Sequence, residues 1–197
     1  MKREVLRELA TRLRTCRQTL ETGCGMSTVL FAAAGARHTV ISPLREEHER
    51  IRAFCGEMRI VTDKVRFIVG DSRDELPRIQ EPLDLDLVLI DGCHAFPSPF
   101  IDWFYAARRL RKDGLLIVDD TQIVTGWILR EFLLSERERW SVEKEFRRTI
   151  LFRKRVENVT DGFRWRQQPF CVRTRRFRKL QDVLRPLYQA MFTRRRK

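Results

Sequence analysis

Five acidic residues, Glu21, Asp71, Asp91, Asp119 and Asp120, fall at or just beyond the ends of short apolar runs, and His94 follows Asp91 by three. Carboxylates gathered at one place repel each other. A hard divalent cation with oxygen ligands, Mg²⁺ or Mn²⁺, resolves that repulsion, with Asp91, Asp119 and Asp120 as the metal ligands. The competing reading is that Asp119 and Asp120 cap the turn that follows them. Asp71 fits a helix N-cap equally well. His94, with an ordinary pKa near ~6.5, is the candidate base of such a centre. His38 and His48 read as incidental. A second stretch with chemistry in it is Glu21-Thr22-Gly23-Cys24-Gly25-Met26-Ser27-Thr28. A Gly-x-Gly turn lets backbone pass close to a ligand. The free N–H groups of the helix behind it favour an electron-rich or anionic group. Glu21 stands where it takes an ammonium.

These residues need a scaffold that brings strand ends together. The periodicity predicts an amphipathic helix over residues 2–14 on Val5, Leu6, Leu9 and Leu13, and a first strand over 17–21. A helix follows over 27–34, then a strand over 37–42 stopped by Pro43, and a charged helix over 45–57. A third strand covers 65–69 and a short helix 73–79. Residues 85–90 (LDLVLI) form a nearly continuous apolar run, as a strand buried on both faces requires. A helix over 100–111, closed by Gly114 in the manner of a glycine C-cap, leads into a fifth strand over 115–118. A last helix covers 125–134. Residues 140–146 and 149–153 alternate like an antiparallel pair. The expected fold class is therefore α/β: a Rossmann-like, doubly wound, mostly parallel seven-stranded sheet, with five parallel strands and a C-terminal antiparallel hairpin. In such sheets ligands bind beyond the carboxyl ends of the strands, where four of the five parallel strands deliver an acid.

Composition narrows the class. A chain of 197 residues with 43% hydrophobic content supports one domain of ordinary size. No apolar run approaches the ~20 residues of a membrane span. The five cysteines are scattered and never spaced C-x-x-C, which argues against a disulfide framework and for a reducing cytoplasm. The net charge of +13 is uneven. Residues 155–197 carry thirteen Lys and Arg against three Asp and Glu, while 1–154 are nearly balanced. The expected organisation is a main domain over 1–154 and a basic, aromatic-containing extension over 155–197.

Residues 17–154 resemble the class I S-adenosylmethionine-dependent methyltransferases. Glu21-Thr22-Gly23-Cys24-Gly25 is similar to their first motif. Leu89-Ile90-Asp91-Gly92-Cys93-His94 and Leu116-Ile117-Val118-Asp119-Asp120 are similar to the branch of metal-dependent O-methyltransferases that act on sugars, macrolides and catechol-like hydroxyls. The resemblance implies S-adenosylmethionine as cofactor, a small hydroxylated acceptor, and a metal on Asp91, Asp119 and Asp120. It places Gly23, Gly25 and Ser27 at the methionine and ribose end, Asp71 near the adenine amino group, and Ser42 and Ser72 beside them. His94 is then the base and Asp91 shares the catalytic centre. The sequence departs from the family pattern in two places within the cofactor site. Ser27 replaces the third glycine, and Ser42-Pro43 stands where an acid ordinarily ends strand two. Glu46 or Glu47 would have to reach back to replace that acid.

Phe96, Phe100, Trp103 and Tyr105 are candidates for an acceptor wall, although Trp103, Phe104 and Leu110 fit a helix core face equally well. The tail interleaves arginine with aromatics around Phe163-Arg164-Trp165-Arg166 and 172–179, and ends Arg194-Arg195-Arg196-Lys197. Such a segment contacts phosphates and stacks on bases. The alternative to a small-molecule enzyme is thus a nucleic-acid- or partner-binding protein, or an RNA methyltransferase, on the same fold.

Overall fold

A computed structural model describes residues 1–79, 84–158, 164 and 166–172. The chain divides into two compact units, Met1–Thr160 and Asp161–Lys197. The first runs α1 (Arg3–Leu13), β1 (Gln18–Thr22), α2 (Met26–Ala33), β2 (Arg37–Ser42), α3 (Arg45–Glu57), β3 (Val65–Val69), α4 (Ser72–Arg78), β4 (Leu85–Ile90), α5 (Ser98–Arg109), β5 (Leu110–Val118), α6 (Val124–Ser135), β6 (Trp140–Glu145) and β7 (Ile150–Lys154). The strand order is β3-β2-β1-β4-β5-β7-β6. The first five strands pair in parallel, whereas β7 pairs antiparallel with both β5 and β6. The order reverses between β1 and β4, which opens a crevice at their carboxyl ends.

Alternation along the strands fills one core. Leu87 and Leu89 of β4, Leu115 and Ile117 of β5 and Leu151 of β7 share one sheet face with Leu9 and Leu13 of α1 and Phe31 of α2. Burying one such side chain contributes about 1.5–3 kcal/mol. Beyond that face, Trp103 of α5 packs edge-on against Phe132 of α6, with ring centroids 4.8 Å apart. At the opposite end of the sheet, Asp86 accepts the backbone N–H groups of Arg17 (2.6 Å) and Gln18 (2.9 Å) and the Arg111 Nε (2.7 Å). This fixes the start of β1 against β4 and β5.

The junction of α5 and β5 corrects the sequence reading. The helix stops at Arg109 and the strand begins at Leu110, so residues 112–114 are not a helix cap. The left-handed residue there is Asp113 (φ 64°). Gly114 serves a packing purpose instead, because a Cβ on it would lie 2.6 Å from Leu110 Cδ1. The α5 carbonyls are capped from elsewhere: the buried Lys154 Nζ donates to Ala107 O (3.1 Å) and to Leu110 O. A cation at a helix C-terminus is favourable both as donor and against the helix dipole. Phe104, expected on the core face of the helix, is 37% exposed.

In the second unit, Gln167 and Gln168 both donate backbone N–H groups to Arg164 O (2.8 and 3.0 Å). Val172 N donates to Gln168 O (3.0 Å), closing one helical turn. Phe163, Trp165 and residues 173–197, which carry most of the arginine–aromatic pattern, lie outside the described residues. Among the described residues no helix is long and apolar enough to cross a membrane.

Candidate active site

The carboxyl ends of the central strands are tied together in one row. Gly23 N donates to Ile41 O (2.8 Å), Asp91 N to Thr22 O (3.1 Å), Asp119 N to Ile90 O (3.0 Å) and Gly70 N to Ser42 O (3.1 Å). These bonds carry the ladder one residue past each strand, so the residues that follow emerge at the same level. A cleft of about 250 Å³ opens there. The glycine turn (Gly23, Cys24) forms one wall, Ser42, Pro43, Leu44 and Glu47 a second, and Asp71 and Ser72 a third. Asp91, Gly92 and Cys93 complete it.

Gly23 is irreplaceable by geometry. Its φ is +93°, and a Cβ would lie 2.3 Å from Asp91 O. Gly25 differs, since its φ of −173° is ordinary extended backbone and a Cβ would meet nothing within 4 Å.

Of the residues expected at the cofactor, Gly23, Ser42, Asp71 and Ser72 line the cleft, whereas Glu21, Gly25 and Ser27 do not; Asp91, expected at the metal and catalytic centre, lines it too. Glu21 is 1% exposed and turned into the fold. It accepts the Thr28 hydroxyl, and its Oε1 stands 3.1 Å from His38 Nε2. Glu21, expected to take an ammonium, is engaged by these internal partners, and His38, read as incidental, is one of them. Ser27 is buried in the first turn of α2. Asp71 acts as N-cap of α4, accepting Arg73 N (2.9 Å), and pairs with the same arginine through Nε (2.9 Å) and Nη2 (2.6 Å). The Arg73 guanidinium holds its carboxyl below the usual range. Ser42 does not stand alone in place of the strand-two acid. Its Oγ donates to Glu47 Oε2 (2.7 Å), and Glu47 itself lines the cleft. The signal was a Glu in the first turn of the helix after Pro43, whose side chain points back toward the strand end.

The acidic centre also differs from the sequence expectation. Asp91, His94 and Asp120, all half-buried, present ligand atoms within 4.8 Å of one another. Asp119, expected with them, is buried and turned away. Its Oδ1 accepts the Thr149 hydroxyl, and its Oδ2 lies 3.8 Å from the Met1 amine. The two adjacent side chains diverge beyond the end of β5, Asp119 to Thr149 and Asp120 to His94. Asp120 takes a left-handed backbone (φ 51°), which an Asp tolerates better than most residues. His94 Nε2 stands 3.0 Å from Asp120 Oδ2, and Gln122 Nε2 donates to Asp120 Oδ1 (2.6 Å). Thr125 at the start of α6 donates to His94 O, fixing the loop that carries the imidazole. Burial and the neighbouring Asp119 push the Asp91 carboxyl up to about 7.

Two carboxylates and one imidazole are an adequate donor set for a divalent ion. The 3.0 Å between His94 Nε2 and Asp120 Oδ2 is the spacing of adjacent ligands around an octahedral ion at about 2.1 Å. The imidazole favours Mn²⁺ or another transition ion over Mg²⁺.

Beneath the cleft lies an acid that sequence reasoning missed. Asp102 of α5 is fully buried, and burial raises its carboxyl to about 6. The Ser72 and Thr22 hydroxyls face it and lower its pKa, though neither reaches strict hydrogen-bond geometry. Its neighbours in the helix sequence are aromatic, which hid it within a core pattern.

Residues 20–121, about half of the chain, match the family model described as a methyltransferase domain. No curated protein sequence matches significantly. Among solved structures, a methyltransferase from Geobacter sulfurreducens is 22% identical, with a TM-score of 0.63 over 79% of this chain and 80% of that one. The O-methyltransferase TomG from Streptomyces achromogenes, which is involved in tomaymycin synthesis and was solved with S-adenosylmethionine, is 19% identical, with a TM-score of 0.64 over 79% and 82%. An O-methyltransferase from Bacillus cereus, solved with S-adenosylhomocysteine, is 16% identical, with a TM-score of 0.64 over 78% and 82%. The glycine turn at the β1–α2 junction, the 3-2-1-4-5-7-6 sheet and the family match agree: the chain belongs to the methyltransferase-domain family, as a class I S-adenosylmethionine-dependent methyltransferase.

Proposed function

We propose that the protein transfers the methyl group of S-adenosylmethionine to a hydroxyl oxygen of a small acceptor, with a divalent cation assisting at Asp91, His94 and Asp120. The observation that carries this reading is the His94–Asp120 pair beside Asp91, at the edge of the cleft that the Gly23 turn opens.

The cofactor supplies an electrophilic methyl on a sulfonium, and displacement at that carbon needs alignment and a nucleophilic oxygen more than any covalent help from the protein. The Gly23 turn admits the cofactor close to backbone, and Glu47 with Ser42 offers a carboxylate and a hydroxyl for its ribose. Ser72 and Asp71 bound the base end. With no cation bound, His94 donates its Nε2–H to Asp120 Oδ2 and its Nδ1 accepts the acceptor's hydroxyl proton, so Asp120 stabilises the imidazolium that results. The oxygen lone pair forms the new C–O bond as the C–S bond breaks, and sulfur keeps that electron pair. A cation, when bound, lowers the pKa of the acceptor hydroxyl. Occupancy of His94 Nε2 by the cation and its use as base exclude each other. The 3.0 Å His94–Asp120 contact favours a second, metal-free reading in which the pair acts as an acid–base dyad.

The acceptor has an apolar body on this reading. Phe96 is 74% exposed two residues from His94, and Val124 (68%) and Trp127 (52%) flank Thr125, which holds the His94 loop. The acidic rim repels phosphates, which favours a small molecule over nucleic acid as acceptor. Five free thiols suit a reducing compartment, the cytoplasm.

The test is calorimetric titration of the full chain with S-adenosylmethionine and S-adenosylhomocysteine, each with Mn²⁺, with Mg²⁺ and with neither. Hydroxylated sugars and aglycones are then screened as acceptors. Micromolar cofactor binding and methylation of an oxygen are expected. Absence of binding under every condition would sink the reading.

A further inference from the structure

The chain buries a polar relay that starts at paired positions of β1 and β2 and ends at the cofactor turn. Thr19 Oγ1 lies 2.9 Å from His38 Nδ1, and His38 Nε2 lies 3.1 Å from Glu21 Oε1. Thr28 donates its hydroxyl to the same Glu21 oxygen and accepts Gly25 N–H at 3.0 Å. Thr19, Glu21, His38 and Thr28 are each at most 1% exposed. The His38 ring stacks on Phe31 of α2, with centroids 4.0 Å apart and planes 7° from parallel.

Proton accounting gives every member one role. An ionised Glu21 only accepts, so a neutral His38 carries its proton on Nε2 and its Nδ1 accepts from Thr19. Thr28 has one proton, which goes to Glu21, so its lone pair is free for Gly25 N–H. A buried carboxylate is costly unless donors surround it. Without His38, Glu21 loses a principal donor, and the rotamer that holds the Thr28 hydroxyl loses its reason. Gly25, the N-cap residue of α2, then loses the acceptor for its N–H. Gly25 follows directly on Gly23 and Cys24, which wall the cleft, so the disturbance ends at the cofactor turn.

We propose that His38 is a positioning residue for this turn, acting through Glu21 and Thr28 without touching the cofactor. The proposal rests on the reading that the cleft binds S-adenosylmethionine.

Four full-length proteins test it: wild type, His38→Phe, Thr28→Val and the double variant. His38→Phe keeps a ring on Phe31 and removes both hydrogen bonds. It is expected to weaken S-adenosylmethionine binding about tenfold or more while retaining a folded circular-dichroism spectrum. His38→Gln, which keeps a donor and an acceptor, is expected to lose less than His38→Phe. The double variant is expected to bind no more weakly than the worse single variant, because both cut one chain of bonds. Nitrogen-15 spectra of the wild-type histidines are expected to show His38 as the neutral Nε2–H tautomer, with ring shifts that move on saturation with cofactor. Unchanged affinity in folded His38→Phe, or fully additive losses, overturns the proposal. If His38→Phe does not fold, His38 ring shifts that stay fixed through cofactor saturation overturn it instead. Wild-type protein that fails to bind the cofactor brings down the cleft reading, and the proposal with it. Wild type that binds while His38→Phe binds equally well brings down the proposal alone.

Discussion

His94 Nε2 lies 3.0 Å from Asp120 Oδ2, and Asp91 completes a group of ligand atoms within 4.8 Å. One imidazole therefore stands where it can ligate an ion or take a proton. Both uses predict that His94→Gln lowers kcat by about 10²–10⁴ while cofactor affinity is retained. They separate on chelation. With an ion in place, removal of divalent metal lowers kcat and Mn²⁺ restores it better than Mg²⁺. A rate indifferent to chelator, together with a loss in Asp120→Asn as large as in His94→Gln, identifies the pair as base and orienting acid.

The two glycines of the turn should separate fold from ligand. Gly23→Ala puts a Cβ 2.3 Å from Asp91 O at a φ of +93°. The strain and the clash together are expected to cost on the order of 2–4 kcal/mol of stability and to abolish cofactor binding. Gly25→Ala meets nothing within 4 Å and keeps an ordinary φ. It should melt within about 1 kcal/mol of wild type, since the change is conformationally undemanding. Thermal melts with and without S-adenosylhomocysteine check both. Equal destabilisation by the two substitutions would mean that the close approach of Gly23 to Asp91 is not what fixes the turn.

Much of this was legible in sequence because period and punctuation carry it. Alternating strands and helices, the apolar LDLVLI run and the terminal hairpin set the sheet, and the strand ends set the edge where acids gather. What sequence could not show was which way side chains turn beyond a strand end. Asp119 and Asp120 are equivalent in sequence, yet one is spent on Thr149 and the other faces His94. Glu21 occupies a motif position and turns inward, because His38 on the neighbouring strand offers it a buried partner only after β1 and β2 pair. The Asp113 turn and the packing of Gly114 against Leu110 imitate a glycine cap until the strand is seen to begin at Leu110.

Glu47 restores, from α3, a carboxylate that the end of β2 lacks. It accepts Ser42 Oγ at 2.7 Å and lines the cleft beside Leu44. Glu47→Gln is expected to weaken S-adenosylmethionine binding by about tenfold, the worth of one charge-assisted hydrogen bond of roughly 1.5 kcal/mol. Stability should change little, because the residue lies near the exposed start of α3. Ser42→Ala should weaken binding less, since a neutral hydroxyl contributes less than the Glu47 carboxylate. Calorimetry with the cofactor and with its 2′-deoxyribose analogue provides the check. A Glu47→Gln protein that discriminates between the two as wild type does would remove Glu47 from the ribose site.

Asp102 sets a pH dependence of stability. Burial raises its carboxyl to about 6, against an unfolded value near ~3.9. A group whose folded pKa is raised contributes stability that is fully present below the unfolded pKa and is lost as pH rises through the folded one. The relevant window therefore runs from about pH 4 to about pH 6, and above it the buried carboxylate is ionised at a cost. The shift of about two units bounds that cost at roughly 3 kcal/mol. Asp102→Asn keeps the shape and removes the charge, so it is expected to stabilise the protein by about 1–2 kcal/mol at pH 7.5 and to do nothing favourable at pH 4. Urea melts of both proteins across this range measure the difference. A gap between them that does not widen from pH 4 to pH 7 would mean that Asp102 is ionised throughout, held by the Ser72 and Thr22 hydroxyls that face it. Those hydroxyls belong to the α4 start and the residue before Gly23, so the same melts report whether the floor of the cleft is charged when the cofactor arrives.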